Sequence, residues 1–453
     1  MKPLTKKIIW LFAIGQLGWS LMSAILTNFI EAFYQPDVIA IADGQPIFIP
    51  QGRVIFGVFT IIGGIYALGR VFDAITDPWV GNMSDSSKNP KGRRIPFMRK
   101  GAIPLAAVTI LVYLAPIDHE SWINGIWVLV MMLLFYLFMT IYCTPYNALI
   151  AELSKTEEDL ANISTAISFT FIFGSALGYV APTIWGMLTP VLGSRVWAIR
   201  VVFIVMAVIA LVCLLIPTFT INEKDYVNVV PAEGNAFESL KKTFSNKDFR
   251  VFVGSDVCYW VGITMFQTGL LHYVTVLMQL DESWSTILYI GMTFFSVCCY
   301  VPVNKLMGKF PKKRMVIFAF CGMSLVFLIT GLAGITPIPG IVSGVLVMIC
   351  AALPMAILGI IPQTIVADIA MSDAITTGEN HDGMFFAART FSMKMGQSLS
   401  ILLFTSLGTI GAASGLGYRI AAIAAVVFCM FGALILRFYN EDKVKGILRT
   451  ERR

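Results

Sequence analysis

The sequence predicts an all-α integral membrane protein of twelve spans in two six-helix bundles. Three observations predict it. The 453 residues are 57% hydrophobic and only 13% charged, about half the charge of a soluble domain, and mean hydropathy is +0.78. Uncharged runs long enough to cross a bilayer as helices, about twenty residues each, recur about twelve times. The loops between them alternate between rich and poor in Lys and Arg, which is the pattern that sets orientation.

The predicted spans lie at about 8–33, 54–81, 99–116, 125–152, 161–189, 196–219, 249–277, 284–306, 315–334, 339–368, 384–410 and 417–437. The first follows Lys2, Lys6 and Lys7, as a signal peptide would, but the run 8–33 is too long for a signal core and lacks a clear A-x-A cleavage site. It is read as a retained first span. The connection 34–52, with three prolines, is read as a plain disordered loop rather than a partial lid. Basic residues gather at 82–100, including Arg93, Arg94, Arg99 and Lys100, at 220–248, at 305–314 and after 437. Segments 117–124, 278–283 and 335–338 have none, so both termini are expected to be cytoplasmic. The loop 371–383 also lacks Lys and Arg and is an exception. The domains are therefore 1–219, a cytoplasmic linker 220–248, 249–437 and a tail 438–453.

Each half carries a basic loop after its second span, GNMSDSSKNPKGRR (81–94) and VNKLMGKFPKKR (303–314). Such a weak internal repeat marks six-plus-six carriers. The net charge of +6 follows from orientation and gives no reason to expect nucleic acid. The eight cysteines, from Cys143 to Cys429, sit in apolar segments without a C-x-x-C pair and read as reduced packing residues. His119, His272 and His381 are far apart. Without H-E-x-x-H, G-x-S-x-G or a nucleotide loop, an enzyme is not expected.

The chemistry concentrates in 61–80. At about 100° per residue, Arg70, Asp73 and Asp77 share one face of a membrane-depth helix. Such charges are costly in hydrocarbon and mark an ion or substrate path. Two nearby carboxylates cannot both stay charged in low dielectric without a partner. Arg70, one turn before Asp73, offsets one charge, and Na⁺ or a proton can meet the remainder. The competing reading is a structural Arg70–Asp73 salt bridge with Asp77 acting as a cap. Pro78 is read as the end of this helix rather than a kink near the site. Asp85, Arg93 and Arg94, with Gly92, are read as a latch between the halves, with Glu152, Asp368 or Asp373 as partners.

The run GRVFDAITDPWVGNMSDSSKNPKGRRIPF (69–97) resembles the glycoside–pentoside–hexuronide:cation symporters, the melibiose-carrier family of the major facilitator superfamily. CTPYNALIAELSKTEED (143–159), ADIAMSDAITTGENHDG (367–383) and FFAARTFSMKMGQSLS (385–400) resemble that family's fourth, tenth and eleventh helices. The resemblance implies the twelve-helix major facilitator fold and secondary active transport. By position, it places a cation site on Asp73 and Asp77, with Thr76 and Thr140 adding oxygens, so Na⁺ is a candidate there. The family often has Asn where this chain has Thr76. Its best-known members carry acids in the first and fourth helices, where this chain has Leu17 and Cys143. Their eleventh-helix lysine matches Lys394, and five residues earlier, where some members have an amide, stands Arg389.

Arg389 and Lys394 diverge by about 140° around their helix, so one is expected to face a cavity while the other pairs with an acid such as Asp256; Lys394 is read as the link between cation site and substrate, and Arg389 as the contact to an acidic or hydroxyl-rich group. A surplus of cations there suits an acidic sugar such as a hexuronide. Trp19, Tyr142 and Trp260, near Gln16, Thr140 and Asp256, are candidates to stack on a pyranose, and Arg70 joins them as a substrate contact. The expected protein is a monomeric inner-membrane carrier in the lipid bilayer. It takes a small-molecule sugar or glycoside with a coupling cation, Na⁺ or H⁺, and no other cofactor. The alternative is a carrier of lysolipids or other amphiphiles on the same fold.

Overall fold

A computed structural model describes residues 4–87, 89–90, 92–154, 156–226, 243–377 and 382–451. These residues are helical apart from turns, loops and one isolated bridge between Ile55 and Phe59. The chain forms two compact units, Met1–Glu233 and Gly234–Arg453.

The first unit contains α1 (Lys6–Tyr34), α2 (Val38–Ala42), α3 (Ile61–Asp85), α4 (Ile95–Leu111), α5 (Trp122–Leu153), α6 (Glu157–Tyr179), α7 (Ala181–Leu192) and α8 (Arg195–Thr220). The second contains α9 (Lys247–His272), which continues through a π-turn at Tyr273–Leu277. There follow α10 (Ser283–Cys298), α11 (Tyr300–Met307), α12 (Lys312–Leu332), α13 (Gly340–Thr377), α14 (Asp382–Gly408), α15 (Leu416–Leu436) and α16 (Glu441–Glu451). Short polar residues fix where helices start. Thr5, Thr60, Ser121, Thr156, Ser194 and Asn246 each accept a hydrogen bond from a backbone N–H two or three residues ahead, satisfying a donor that the first turn would leave unpaired.

Eight described helices are long and apolar enough to cross a membrane, and α10 with α11, bent by 40°, makes a ninth. Three further helices, α3, α4 and α14, complete the twelve. α4 has only 17 residues, α3 carries Arg70, Asp73 and Asp77, and α14 carries Arg389 and Lys394. The two polar exceptions are thus the helices that the charge pattern singled out.

Two expectations need correction. Pro78 does not end its helix, because α3 continues to Asp85. A proline removes one backbone donor, and in hydrocarbon every other N–H gains by staying in the helix. The connection 34–52 is packed rather than disordered. Asp37 caps α2, and the Gln45 amide donates to the carbonyls of Ala32 and Phe33 at 3.2 and 3.0 Å. Arg195 Nε donates to Gln45 Oε1 at 3.0 Å, and Phe48 stacks on Phe33 at 5.4 Å.

Within the first unit, α1 packs against α6 and α8, and α3 packs against α5. Gly18 sets the α1–α8 approach, since a Cβ there would lie 2.7 Å from the Ala210 carbonyl oxygen. The neighbour is backbone and cannot swing aside. Gly18→Ala should therefore cost about 1–3 kcal/mol, read as a lower unfolding midpoint in detergent.

Candidate functional site

The outer face of α3 is apolar and exposed at Leu68, Val71, Ile75 and Trp79, while Tyr66, Asp73, Thr76 and Val80 are buried. That partition turns the charged face toward the protein interior. There α3 meets α5, whose Thr140 is 1% exposed. Thr140 Oγ1 donates to Asp73 Oδ1 at 3.0 Å and lies 3.4 Å from Thr76 Oγ1. Thr76 Oγ1 also lies 3.1 Å from the Asp73 carbonyl oxygen, to which it donates. One turn along, Thr144 Oγ1 is 3.5 Å from Asp77 Oδ1. The structure thus gathers Asp73, Thr76, Thr140 and Asp77 at one helix pair. Their oxygens are hard donors, suited to Na⁺ or a proton rather than to a soft metal.

Arg70 supplies the balancing charge in an unexpected setting. Its Nη1 is 3.7 Å from Asp73 Oδ2, and its Nη2 donates to the Tyr66 hydroxyl at 3.4 Å. Its guanidinium carbon lies 5.6 Å from the Tyr66 ring centre and 5.2 Å from that of Tyr136. Cation–π contact strengthens where water is excluded, so the aromatic pair helps hold a buried charge that Asp73 meets only at long range. Gly69 makes room, because a Cβ there would sit 2.6 Å from the Tyr136 ring. The expectation that Arg70 contacts substrate gives way to an internal role at this site.

The stacking candidates separate. Tyr142 is fully buried, its hydroxyl donates to the Leu214 carbonyl at 2.9 Å, and its ring stacks with Tyr146. It seals α5 against α8, which corrects its assignment as a sugar platform. Gln16 is 3% exposed in the same packed region of α1. Trp19 and Trp260 are half-buried, and each indole Nε1 is buried without a hydrogen-bond partner. In the second unit, Arg389 donates from Nε to Asp256 Oδ2 at 2.8 Å and from Nη2 to Oδ1 at 3.0 Å. The expected acid–base pair is present, with Arg389 as its base. Its guanidinium therefore does not supply the surplus positive charge on which a uronate-binding role rested. Lys394 lies half-buried on the same helix.

The expected latch closes within the first unit. Arg93 Nη2 and Arg94 Nη2 reach one oxygen of Glu152 at 2.6 and 2.8 Å. Glu223 accepts the backbone N–H groups of Arg93, Arg94 and Ile95 at 2.8, 2.8 and 3.0 Å, capping α4. These closely paired, buried guanidiniums make a clasp inside the first unit. The Asp85 side chain lies outside the described residues. Asp368 and Asp373 find partners in their own unit, Lys312 Nζ at 2.6 Å and Asn246 Nδ2 at 2.7 Å. The second unit repeats the cap, with Glu441 accepting from the N–H groups of Lys312 and Lys313 at 3.0 and 2.9 Å.

The family described as MFS/sugar transport protein matches residues 11–443. This chain belongs to that family. It is 23% identical over 383 residues to the putative glycoside/cation symporter YagG of Escherichia coli K12, covering 82% of this chain and 76% of that protein. The sodium-dependent lysophosphatidylcholine symporter 1 of Xenopus tropicalis is 30% identical over 169 residues, only 37% of this chain and 29% of that protein. The inward-open xylose transporter XylE of Escherichia coli aligns with a TM-score of 0.68 at 15% identity, over 97% of this chain and 99% of that one. This MFS/sugar transport protein therefore has the major facilitator fold and is a multi-pass membrane transporter, not an enzyme.

In this family member, sequence reasoning missed Tyr66, Tyr136 and Thr144. Helical spacing held the signal: Tyr66 lies four residues before Arg70, and Tyr136 and Thr144 lie four residues either side of Thr140.

Two predictions follow from these bonds. Thr140→Val removes the donor to a buried carboxylate and should cost about 1.5–3 kcal/mol. It should also shrink the thermal stabilisation that Na⁺ or a proton gives, and an unchanged ion response would remove Thr140 from the site. Burial pushes the Glu441 carboxyl up, but the Lys445 ammonium and the Lys313 and Lys312 N–H groups outweigh it and hold it below the usual range. A depressed carboxyl stabilises the fold above its unfolded pKa, and that stability fades as pH falls through the folded value. The stability gap between wild type and Glu441→Gln should therefore narrow as pH falls through and below the usual glutamate range, read as converging unfolding midpoints.

Proposed function

We propose that this transporter couples uptake of a glycoside or related sugar to Na⁺ or H⁺ by alternating access. The observation that carries the reading is the cluster of Asp73, Thr76, Thr140 and Asp77 beside Arg70 where α3 meets α5. Two carboxylates and one guanidinium leave a formal charge of about −1, and a monovalent cation cancels it. A neutral site crosses the membrane interior at lower cost than a charged one. Occupancy of this site therefore governs turnover. YagG is itself named for glycoside and cation, which agrees with this chemistry.

The carrier sits in the cytoplasmic membrane with both termini inside, the orientation that the loop charges favour. The membrane potential then offers about 2.3 kcal/mol per charge per 100 mV, roughly a forty-fold gradient for a neutral substrate moving with one cation. The second reading, an amphiphile carrier, draws on the partial likeness to the lysophosphatidylcholine symporter and on Leu17 and Cys143 at positions where sugar carriers have acids. Counterflow of labelled glycosides against lysolipids in proteoliposomes separates the two.

The decisive variant is Asp77→Asn. Concentrative uptake should be abolished, while exchange of substrate across the membrane persists. Undiminished accumulation by this variant would refute the cation role.

A further inference from the structure

Arg70 and Arg389 each meet an aspartate inside the protein, and they meet it differently. Arg389 closes on Asp256 through two bonds, from Nε at 2.8 Å and from Nη2 at 3.0 Å. Arg70 stands one turn before Asp73 on the same helix face, yet its Nη1 lies 3.7 Å from Asp73 Oδ2, outside hydrogen-bonding range. Its Nε is buried without a hydrogen-bond partner. A guanidinium in low dielectric gains by closing on a nearby carboxylate, so something holds this one back.

The register of α3 against α5 shows what does. The two helices meet in three rungs, Tyr136 beside Arg70, Thr140 beside Asp73 and Thr144 beside Asp77. On the first rung the guanidinium carbon lies 5.2 Å from the Tyr136 ring centre. It lies 5.6 Å from that of Tyr66, one turn back along α3. The two rings stand edge to face, inclined by 84° with centres 6.2 Å apart, so they wall two sides of the charge. Tyr66 is fully buried, and its hydroxyl accepts from Arg70 Nη2 at 3.4 Å. The Tyr136 hydroxyl is buried with no hydrogen-bond partner, so this residue acts through its ring.

An aromatic face holds a cation without occupying a carboxylate oxygen. An arginine bonded twice would occupy both, and a Na⁺ would then have to displace it to reach Asp73. Na⁺ is held by hard oxygen ligands, and Asp73 is best able to supply one while Arg70 stays back. We propose that Tyr66 and Tyr136 clamp Arg70 off Asp73, which makes Tyr136 a positioning residue that sets the affinity of the site for Na⁺. This rests on the proposed cation role of Asp73 and Asp77 and deepens it, by assigning the ion response to a ring that touches neither carboxylate.

The test is Na⁺ binding to purified full-length protein, by calorimetry and by the rise in unfolding midpoint with NaCl against choline chloride. Tyr136→Leu removes the ring, lets Arg70 close on Asp73, and should weaken Na⁺ binding about tenfold. Tyr136→Phe keeps the ring and should stay within about twofold of wild type. A trifluorinated phenylalanine at position 136 keeps the shape but drains the negative face of the ring, so it should fold as the Phe variant does and bind Na⁺ more weakly. In an Arg70→Met background, Tyr136→Leu should cost no further affinity, since the clamp acts only through the arginine. A ring needed for packing alone would weaken binding with or without Arg70, and that result overturns the clamp. So does Na⁺ affinity that the leucine and trifluorinated variants leave unchanged. Either result leaves the cation role of the carboxylates standing. Wild type without any Na⁺ response also overturns the clamp, and undiminished accumulation by Asp77→Asn would take the coupling reading down with it.

Discussion

The first unit is organised around two carboxylates held at membrane depth on α3, Asp73 and Asp77. Taking a carboxylate out of water costs several kcal/mol even after relaxation, and α3 carries two within one turn. Asp73 receives a hydroxyl at 3.0 Å and a guanidinium at 3.7 Å. Asp77 is half-buried, and its Thr144 contact is long at 3.5 Å. The surroundings bend to this constraint. Gly69 admits the Tyr136 ring, two tyrosines flank Arg70, and the apolar residues of α3 face outward.

Away from the membrane-depth charges, the two units use one device twice. A glutamate just after the last span of each unit, Glu223 or Glu441, accepts backbone N–H groups where the third span begins. The electrostatics suit it, since a helix N-terminus carries partial positive charge and unpaired donors. Each unit then pairs that basic corner with an acid near the end of its fourth span, Glu152 with Arg93 and Arg94, Asp368 with Lys312. This clasp ties the segment just after each unit's last span to the start of its third. The faint sequence repeat between 81–94 and 303–314 is its visible half. The glutamates lie more than a hundred residues away from it, so no local pattern could join them.

Span positions were legible because hydrocarbon thickness and loop charge act on every residue at once. The boundaries missed were those where backbone bonding outweighs composition: α3 running past Pro78, and α13 extending to Thr377 beyond the apolar run. The pairing of Asp73 with Thr140 was legible only through resemblance, and that of Arg389 with Asp256 by charge alone. Tyr142 misled because its phenol near polar neighbours reads the same whether it faces substrate or donates to a carbonyl such as that of Leu214. Burial decides between those, and burial depends on helix packing that no single segment encodes. The connection 34–52 was misread for a similar reason, since Gln45 and Phe48 find their partners in α1 and α8.

The division of charge between the units bears on where energy enters the proposed cycle. In that cycle, the first unit holds the negative site that a cation neutralises. The second closes its acid, Asp256, on Arg389. If the loaded carrier holds one cation and a neutral sugar, its site is formally uncharged as it turns over. The potential then does little work on that step. It acts instead when the empty site, carrying about −1, returns to the outside, because a negative interior drives a negative site outward. The same 2.3 kcal/mol per 100 mV is delivered over the whole cycle, but it appears in the return of the unloaded protein. In the proposed cycle, uptake with a neutral substrate is thus electrically silent and the return of the unloaded site is driven by voltage.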